Sequence, residues 1–151
     1  MRWTQSQLIN KFGNPFVNNV LFEGKWMILW LVPAAIRTAI PCIPAKIYIN
    51  KLIQVQLEKT LYDIIRAGLH HEINTYNGCF NIRRKRGNNS ISMHAFGLAV
   101  DFNAATNPFR GTVTWSDKFL AIWRNNGWEC GADWSASSKD GMHFQGDNFI
   151  K

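Results

Sequence analysis

The chain has 151 residues, 46% of them hydrophobic, which fits one compact domain able to bury a substantial core. No internal repeat, low-complexity segment or Gly/Ser/Pro-rich linker divides it, so a separate binding module within residues 1–151 is excluded. Lys and Arg outnumber Asp and Glu by 17 to 10, and the net charge of +7 favours polyanionic surroundings such as a carboxylate- and phosphate-rich surface.

Taken in chain order, Thr4 to Phe12 is predicted as a short helix begun by Thr4 as its cap. The apolar run from Trp26 to Ile36 is eleven residues long and contains Pro33, too short to span a bilayer. The residues before it are polar and mixed, so the chain is expected to carry no signal peptide. Trp26 to Val32 reads as a buried strand ending at Pro33, and Lys46 to Ile49 as a second strand. Apolar residues at 52, 53, 57, 61, 64 and 65 predict a helix over Leu52 to Ala67, closed by Gly68. Strands are expected at Glu72 to Tyr76, Leu98 to Asn103 and Met142 to Gln145. A further helix is expected over Ser116 to Asn126, with Ser116 as cap and Phe119, Leu120 and Trp123 inward. Helices grouped against one small antiparallel sheet make an α+β domain.

The most constraining pattern is His94-Ala95-Phe96-Gly97-Leu98-Ala99-Val100-Asp101, followed later by Asp140-Gly141-Met142-His143. Two imidazoles and one carboxylate are the number of protein ligands a hydrolytic zinc centre uses while keeping a fourth position for water. On a continuous helix His94 and Asp101 would stand roughly 10.5 Å apart along the axis. On a plain strand, an odd spacing would point them to opposite faces. The chain must therefore turn between them, and Gly97 is the residue suited to that turn. Beyond it, Leu98, Val100 and Phe102 alternate with Ala99, Asp101 and Asn103, so the second, small and polar face can leave room for a metal. Met142 and Phe144 face inward while His143 and Gln145 share the functional side, so two adjacent strands can deliver Asp101 and His143 to one point. Asp140 is the candidate general base, a carboxylate beside the attacking water that does not itself bind metal.

Other residues carry plainer readings. His70 and His71 are surface or core filler. Arg83 to Arg86 is a solvated basic loop; its rival reading as a nucleic-acid patch is disfavoured, and no nucleic-acid partner is expected. Trp134 either walls the cleft or is simply packed in the core, and Ser92 either bonds near the site or caps the backbone. Cys42, Cys79 and Cys130 form no Cys-x-x-Cys pair and are expected to be reduced.

The set Ser92-x-His94-x-x-Gly97-x-Ala99-x-Asp101, with Trp134 and Asp140-x-x-His143-Phe144, resembles the M15 family of zinc peptidases over roughly residues 45–146. That family includes D-alanyl-D-alanine carboxypeptidases and dipeptidases, and phage endolysins that cut the L-alanyl-D-glutamate bond of peptidoglycan. The resemblance implies one Zn2+ held by His94, Asp101 and His143, with Asp140 as catalytic acid/base. It also implies an arginine upstream of His94 that polarises the substrate carbonyl. Arg83 and Arg84 both qualify, and Arg83 is favoured because Tyr76-Asn77-Gly78 leads toward it as in the family. Ser92 and Trp134 are candidate substrate contacts.

The resemblance further implies a peptidoglycan stem peptide as substrate, with an endolysin as first choice and a D,D-carboxypeptidase as runner-up. An endolysin lacking an export signal would wait as a monomer in the host bacterial cytoplasm. It would reach the periplasm and cell wall when a holin permeabilises the membrane, itself making no stable membrane insertion. A non-catalytic zinc-binding module is the alternative of another class, against which Asp140 counts.

Overall fold

The structure, a computed structural model, describes residues 2–150. Helix α1 (Gln5–Phe12) opens with a capping box in which the Thr4 hydroxyl accepts from the Gln7 amide and the Gln7 side chain accepts from the Thr4 amide. Helix α2 (Asn19–Trp26) follows, capped by the Asn18 side chain, and runs directly into strand β1 (Met27–Leu31). After α3 (Ala34–Ala39), strand β2 (Lys46–Asn50) returns antiparallel to β1, with Met27 opposite Asn50 and Leu31 opposite Lys46. The long helix α4 (Gln54–Arg66) then leads to β3 (Tyr76–Gly78) and β4 (Ala99–Phe102), and α5 (Asp117–Asn125) to β5 (Glu129–Cys130) and β6 (His143–Gln145). The last four strands form one antiparallel sheet in the order β3-β4-β6-β5. The fold is α+β, a mixture of helices and small antiparallel sheets, as the element pattern predicts.

One face of the four-stranded sheet is sealed by aromatic packing. Phe144 of β6 stacks on Trp123 of α5 at 4.1 Å, and Phe119 and Phe102 pack around the same pair. Helix α4 adds Leu57, Leu61 and Ile64, all fully buried, and its Thr60 hydroxyl accepts a 2.9 Å hydrogen bond from the Trp128 indole. This packing fixes β4 and β6 as a rigid floor, leaving Asp101 and His143 to point the other way.

A second aromatic group holds the turn before β4. Phe96 is fully buried against Phe12 of α1 and Phe22 of α2, at centroid distances of 5.8 and 6.0 Å. Asn50, at the end of β2, bonds the turn through its side-chain amide to the Phe96 carbonyl (3.0 Å) and through its backbone amide to the Gly97 carbonyl (3.0 Å). The amino-terminal elements thus clamp the segment that carries His94.

Two expected strands differ from the structure. The strand after α2 begins at Met27, because Trp26 ends the helix. It is buried on one face only, since a two-stranded ribbon leaves Leu29 and Leu31 exposed. Residues 70–72 form a 3-10 turn, and the strand expected from Glu72 starts at Tyr76. There the Glu72 carboxylate accepts from the Ser116 amide and hydroxyl, an arrangement that ties the turn to the start of α5. Among the described residues no helix is long and apolar enough to cross a membrane, and the three cysteines are unpaired.

Gly97 has φ +65° and ψ 23°, and a Cβ there would lie 2.6 Å from the Met27 sulfur and 3.0 Å from the Asn50 nitrogen. A side chain adds a left-handed backbone cost of about 1–2 kcal/mol and an overpacking cost of about 1–3 kcal/mol. Gly97→Ala is therefore expected to lose about 2–5 kcal/mol in urea unfolding; a loss below about 1 kcal/mol would show that the turn is not clamped.

Candidate metal centre and cleft

His94 sits on a single 3-10 turn, Met93–Phe96, whose amino end is capped by the Ser92 hydroxyl accepting from the His94 amide at 3.2 Å. Gly97 reverses the chain, and four residues later Asp101 emerges from β4 directly opposite His143 of β6. Three buried side chains converge. His94 Nε2 lies 3.1 Å from Asp101 Oδ1 and 3.2 Å from His143 Nδ1, and His143 Nδ1 lies 3.2 Å from Asp101 Oδ1. Donors about 2.0 Å from a tetrahedral ion stand roughly 3.3 Å apart, so this near-equilateral triangle has the size of one face of a zinc coordination shell. It is a group that could hold a metal ion.

Hydrogen bonds on the far side of each ring set the tautomers. His94 Nδ1 lies 2.7 Å from the Cys79 carbonyl, which can only accept, so Nδ1 carries the proton and Nε2 presents its lone pair to the triangle. The His143 ring is turned the other way, with Nε2 2.8 Å from Gln145 Oε1. The Gln145 amide nitrogen donates to Asp147 Oδ1 at 2.6 Å, which fixes the amide orientation and makes His143 Nε2 the donor. Asp147 Oδ2 in turn accepts from the Trp3 amide at 3.4 Å. Two bare ring nitrogens and a carboxylate oxygen therefore face one another in a buried space, an arrangement that calls for a positive charge at its centre.

The titration behaviour agrees. Burial alone would push the Asp101 carboxyl up, but the adjacent His143 and His94 imidazoles outweigh it and hold the group well below the usual carboxylate range. Burial would push His143 down, yet the Asp101 carboxylate overrides it and raises the imidazole above its ordinary value. The Cys79 thiol is driven far up by burial and by the Asp101 charge, so it stays neutral; it donates to the Gly97 carbonyl at 3.5 Å. Its sulfur is not among the three converging donors.

Beside the triangle opens a cleft of about 540 Å³, whose lining includes Arg83, Arg86, Ser92, Trp134, Asp140 and His143. Asp140 lies outside the donor triangle, at its rim. Its backbone amide bonds the Gly131 carbonyl at 3.0 Å, and its own carbonyl accepts from the His143 amide at 3.0 Å. Its Oδ1 is buried and has no hydrogen-bond partner among the described residues. Burial, aided by the Asp101 charge and opposed by His143 and Arg86, raises the carboxyl above its usual range. A carboxylate raised in this way is a stronger proton acceptor than an ordinary one. Gly131 allows this placement, because a Cβ there would stand 2.2 Å from the Asp140 carbonyl oxygen.

The two consecutive arginines diverge as strand neighbours do. Arg83 lines the cleft, whereas Arg84 stacks over Phe16 at 5.0 Å and donates to the Asn89 carbonyl at 2.5 Å. Trp134 stands 5.3 Å from the His143 ring, its indole nitrogen bonded to Glu129 and its face covered by Arg2. The Ser92 hydroxyl is engaged as the cap of the His94 turn. His70 and His71 lie away from the triangle on their own 3-10 turn. Sequence reasoning placed Gln145 on the functional side but assigned it no task, and it missed Asp147 and the Cys79 carbonyl. The alternation His143, Gln145, Asp147 was the available signal; the backbone acceptor left none.

Residues 86–146 match the family model described as D-alanyl-D-alanine carboxypeptidase, an M15 peptidase family. The matched segment contains His94, Asp101, Asp140 and His143, so the part of the chain that carries the site is similar to M15 peptidases. No curated protein and no solved structure matches the chain.

Replacing Gln145 by Leu would free the His143 ring and strand Asp147. Zinc affinity, read by competition with a chromophoric chelator, is expected to fall about 10- to 100-fold. In the wild type it should weaken as pH drops, because the raised His143 takes up a proton that the metal must expel. Affinity unaffected by Gln145→Leu would remove the side chain from any orienting task.

Proposed function

We propose that the chain is a zinc-dependent peptidoglycan peptidase, an endolysin that hydrolyses the L-alanyl-D-glutamate bond of the stem peptide. The observation that carries the reading is the pairing of a metal-sized donor triangle with an unpartnered, partly buried carboxylate three residues before one of its histidines. His94, Asp101 and His143 would hold the ion, which when bound supplies Lewis acidity that polarises a carbonyl and acidifies water.

The chain's own groups supply the rest. Asp140 takes the proton of the attacking water and later delivers it to the leaving amine, a task its raised pKa suits. Arg83 places its guanidinium at the carbonyl oxygen where negative charge develops, while Trp134 forms a wall beside His143. Ser92 serves through the turn it caps more than through substrate contact. On this reading the enzyme acts as a monomer, remains in the host cytoplasm and reaches the wall once a holin opens the membrane.

A D-alanyl-D-alanine carboxypeptidase is the second reading, favoured by the description of the matching family. Asp140→Asn is expected to keep one equivalent of zinc while turnover falls by about 10²- to 10⁴-fold, and Arg83→Gln to lower the rate with little effect on zinc. Mass spectrometry of digested peptidoglycan decides between the readings. New D-glutamate amino termini identify the endopeptidase, free D-alanine the carboxypeptidase, and intact stem peptides with zinc-loaded protein would contradict both.

A further inference from the structure

Of the eight large hydrophobic side chains that stand exposed among the described residues, all but Val55 lie between Phe16 and Tyr48. Val20 and Leu21 are 76% and 68% exposed on the outer side of α2 and Val17, in the turn before it, is 81% exposed, while Leu29 and Leu31 are 56% and 66% exposed on the outer face of the β1–β2 ribbon. The two groups are joined by Tyr48, which pairs with Leu29 across the ribbon and donates its hydroxyl to Glu23 of α2 at 3.1 Å. The inward residues of the same elements, Phe22 and Trp30, are buried, so the outer residues contribute nothing to the core. Scattered single exposures need no explanation; a concentration of this kind marks a surface that meets something apolar.

Cations surround it. Lys25 and Lys51 both lie over the Trp26 ring at 5.1 Å, Arg84 lies over Phe16 at 5.0 Å, and Lys46 stands opposite Leu31. Glu23, bonded to Tyr48 and Asn19, is the acidic group among them. We propose that this face is a docking surface for an anionic lipid bilayer, with Val17, Val20, Leu21, Leu29 and Leu31 entering the headgroup–acyl boundary and the lysines contacting headgroup phosphates. The combination of apolar contact and a basic rim is what interfacial adsorption requires. A soluble polyanion would leave the valines and leucines in water. A second copy of the chain would oppose like charges across a two-fold interface in a protein already carrying +7. The surface is separate from the metal triangle, so docking does not depend on the proposed reaction.

Co-sedimentation of the intact chain with vesicles tests this. Binding is expected to vesicles of phosphatidylcholine mixed with phosphatidylglycerol and not to phosphatidylcholine alone, weakening with salt. Val20→Asp/Leu21→Asp and, independently, Leu31→Asp should each lower partitioning by at least about tenfold while leaving zinc binding and the melting temperature unchanged. Lys46→Ala should lower it about fivefold. Variants that bind as well as wild type would reduce the effect to net charge and overturn the docking face. So would absence of wild-type binding, or a concentration-dependent dimer that Leu31→Asp disrupts.

Discussion

Three donor atoms with their lone pairs turned toward one another, 3.1–3.2 Å apart on largely buried side chains, are the constraint on which the site depends. Such a group is costly unless a positive charge occupies its middle, and a single proton can satisfy only one side of the triangle. The surrounding hydrogen bonds make the demand sharper. The Cys79 carbonyl and the Gln145 amide each take the proton-bearing nitrogen of one histidine, so neither ring can turn its N–H inward. The group is one that could hold a metal ion.

Much of the remaining structure holds these three atoms in place. The floor is β4 paired to β6 with Asp101 facing His143, sealed from below by Trp123, Phe119 and Phe144. Such a floor positions two of the three donor side chains with the precision of a strand register. The third rides on a turn and needs outside support. It comes from residues distant in sequence: Phe12 and Phe22 press on Phe96, and Asn50 bonds the Phe96 and Gly97 carbonyls. That explains why the amino-terminal elements, which supply no ligand, belong to the same fold as the site. The amino-terminal segment also reaches the second histidine, through the Trp3 amide, Asp147 and Gln145.

The convergence of His94, Asp101 and His143, the turn at Gly97 and the pairing of two site strands were legible in the sequence, because a metal-type donor pattern restricts both residue type and spacing. Helices α4 and α5 were legible from their apolar periodicity, and α1 from its Thr4 cap. Helix α2 was hidden: Gly24 and the exposed Val20 and Leu21 weaken its pattern, and its start depends on one asparagine cap. Strand β5 is two residues long and exists only through its pairing with β6. The buried-strand reading of Trp26 to Val32 failed because an apolar run does not reveal whether its second face is covered, and here one face is not. The Cys79 carbonyl was out of reach for a different reason, since a backbone acceptor carries no residue signature.

X-ray absorption at the zinc edge of the purified, zinc-loaded protein tests the central claim most directly. One equivalent of zinc should show two imidazole nitrogens together with oxygen donors at about 2.0–2.2 Å and no sulfur. A sulfur shell near 2.3 Å, or no bound metal, would contradict a site built from His94, Asp101 and His143.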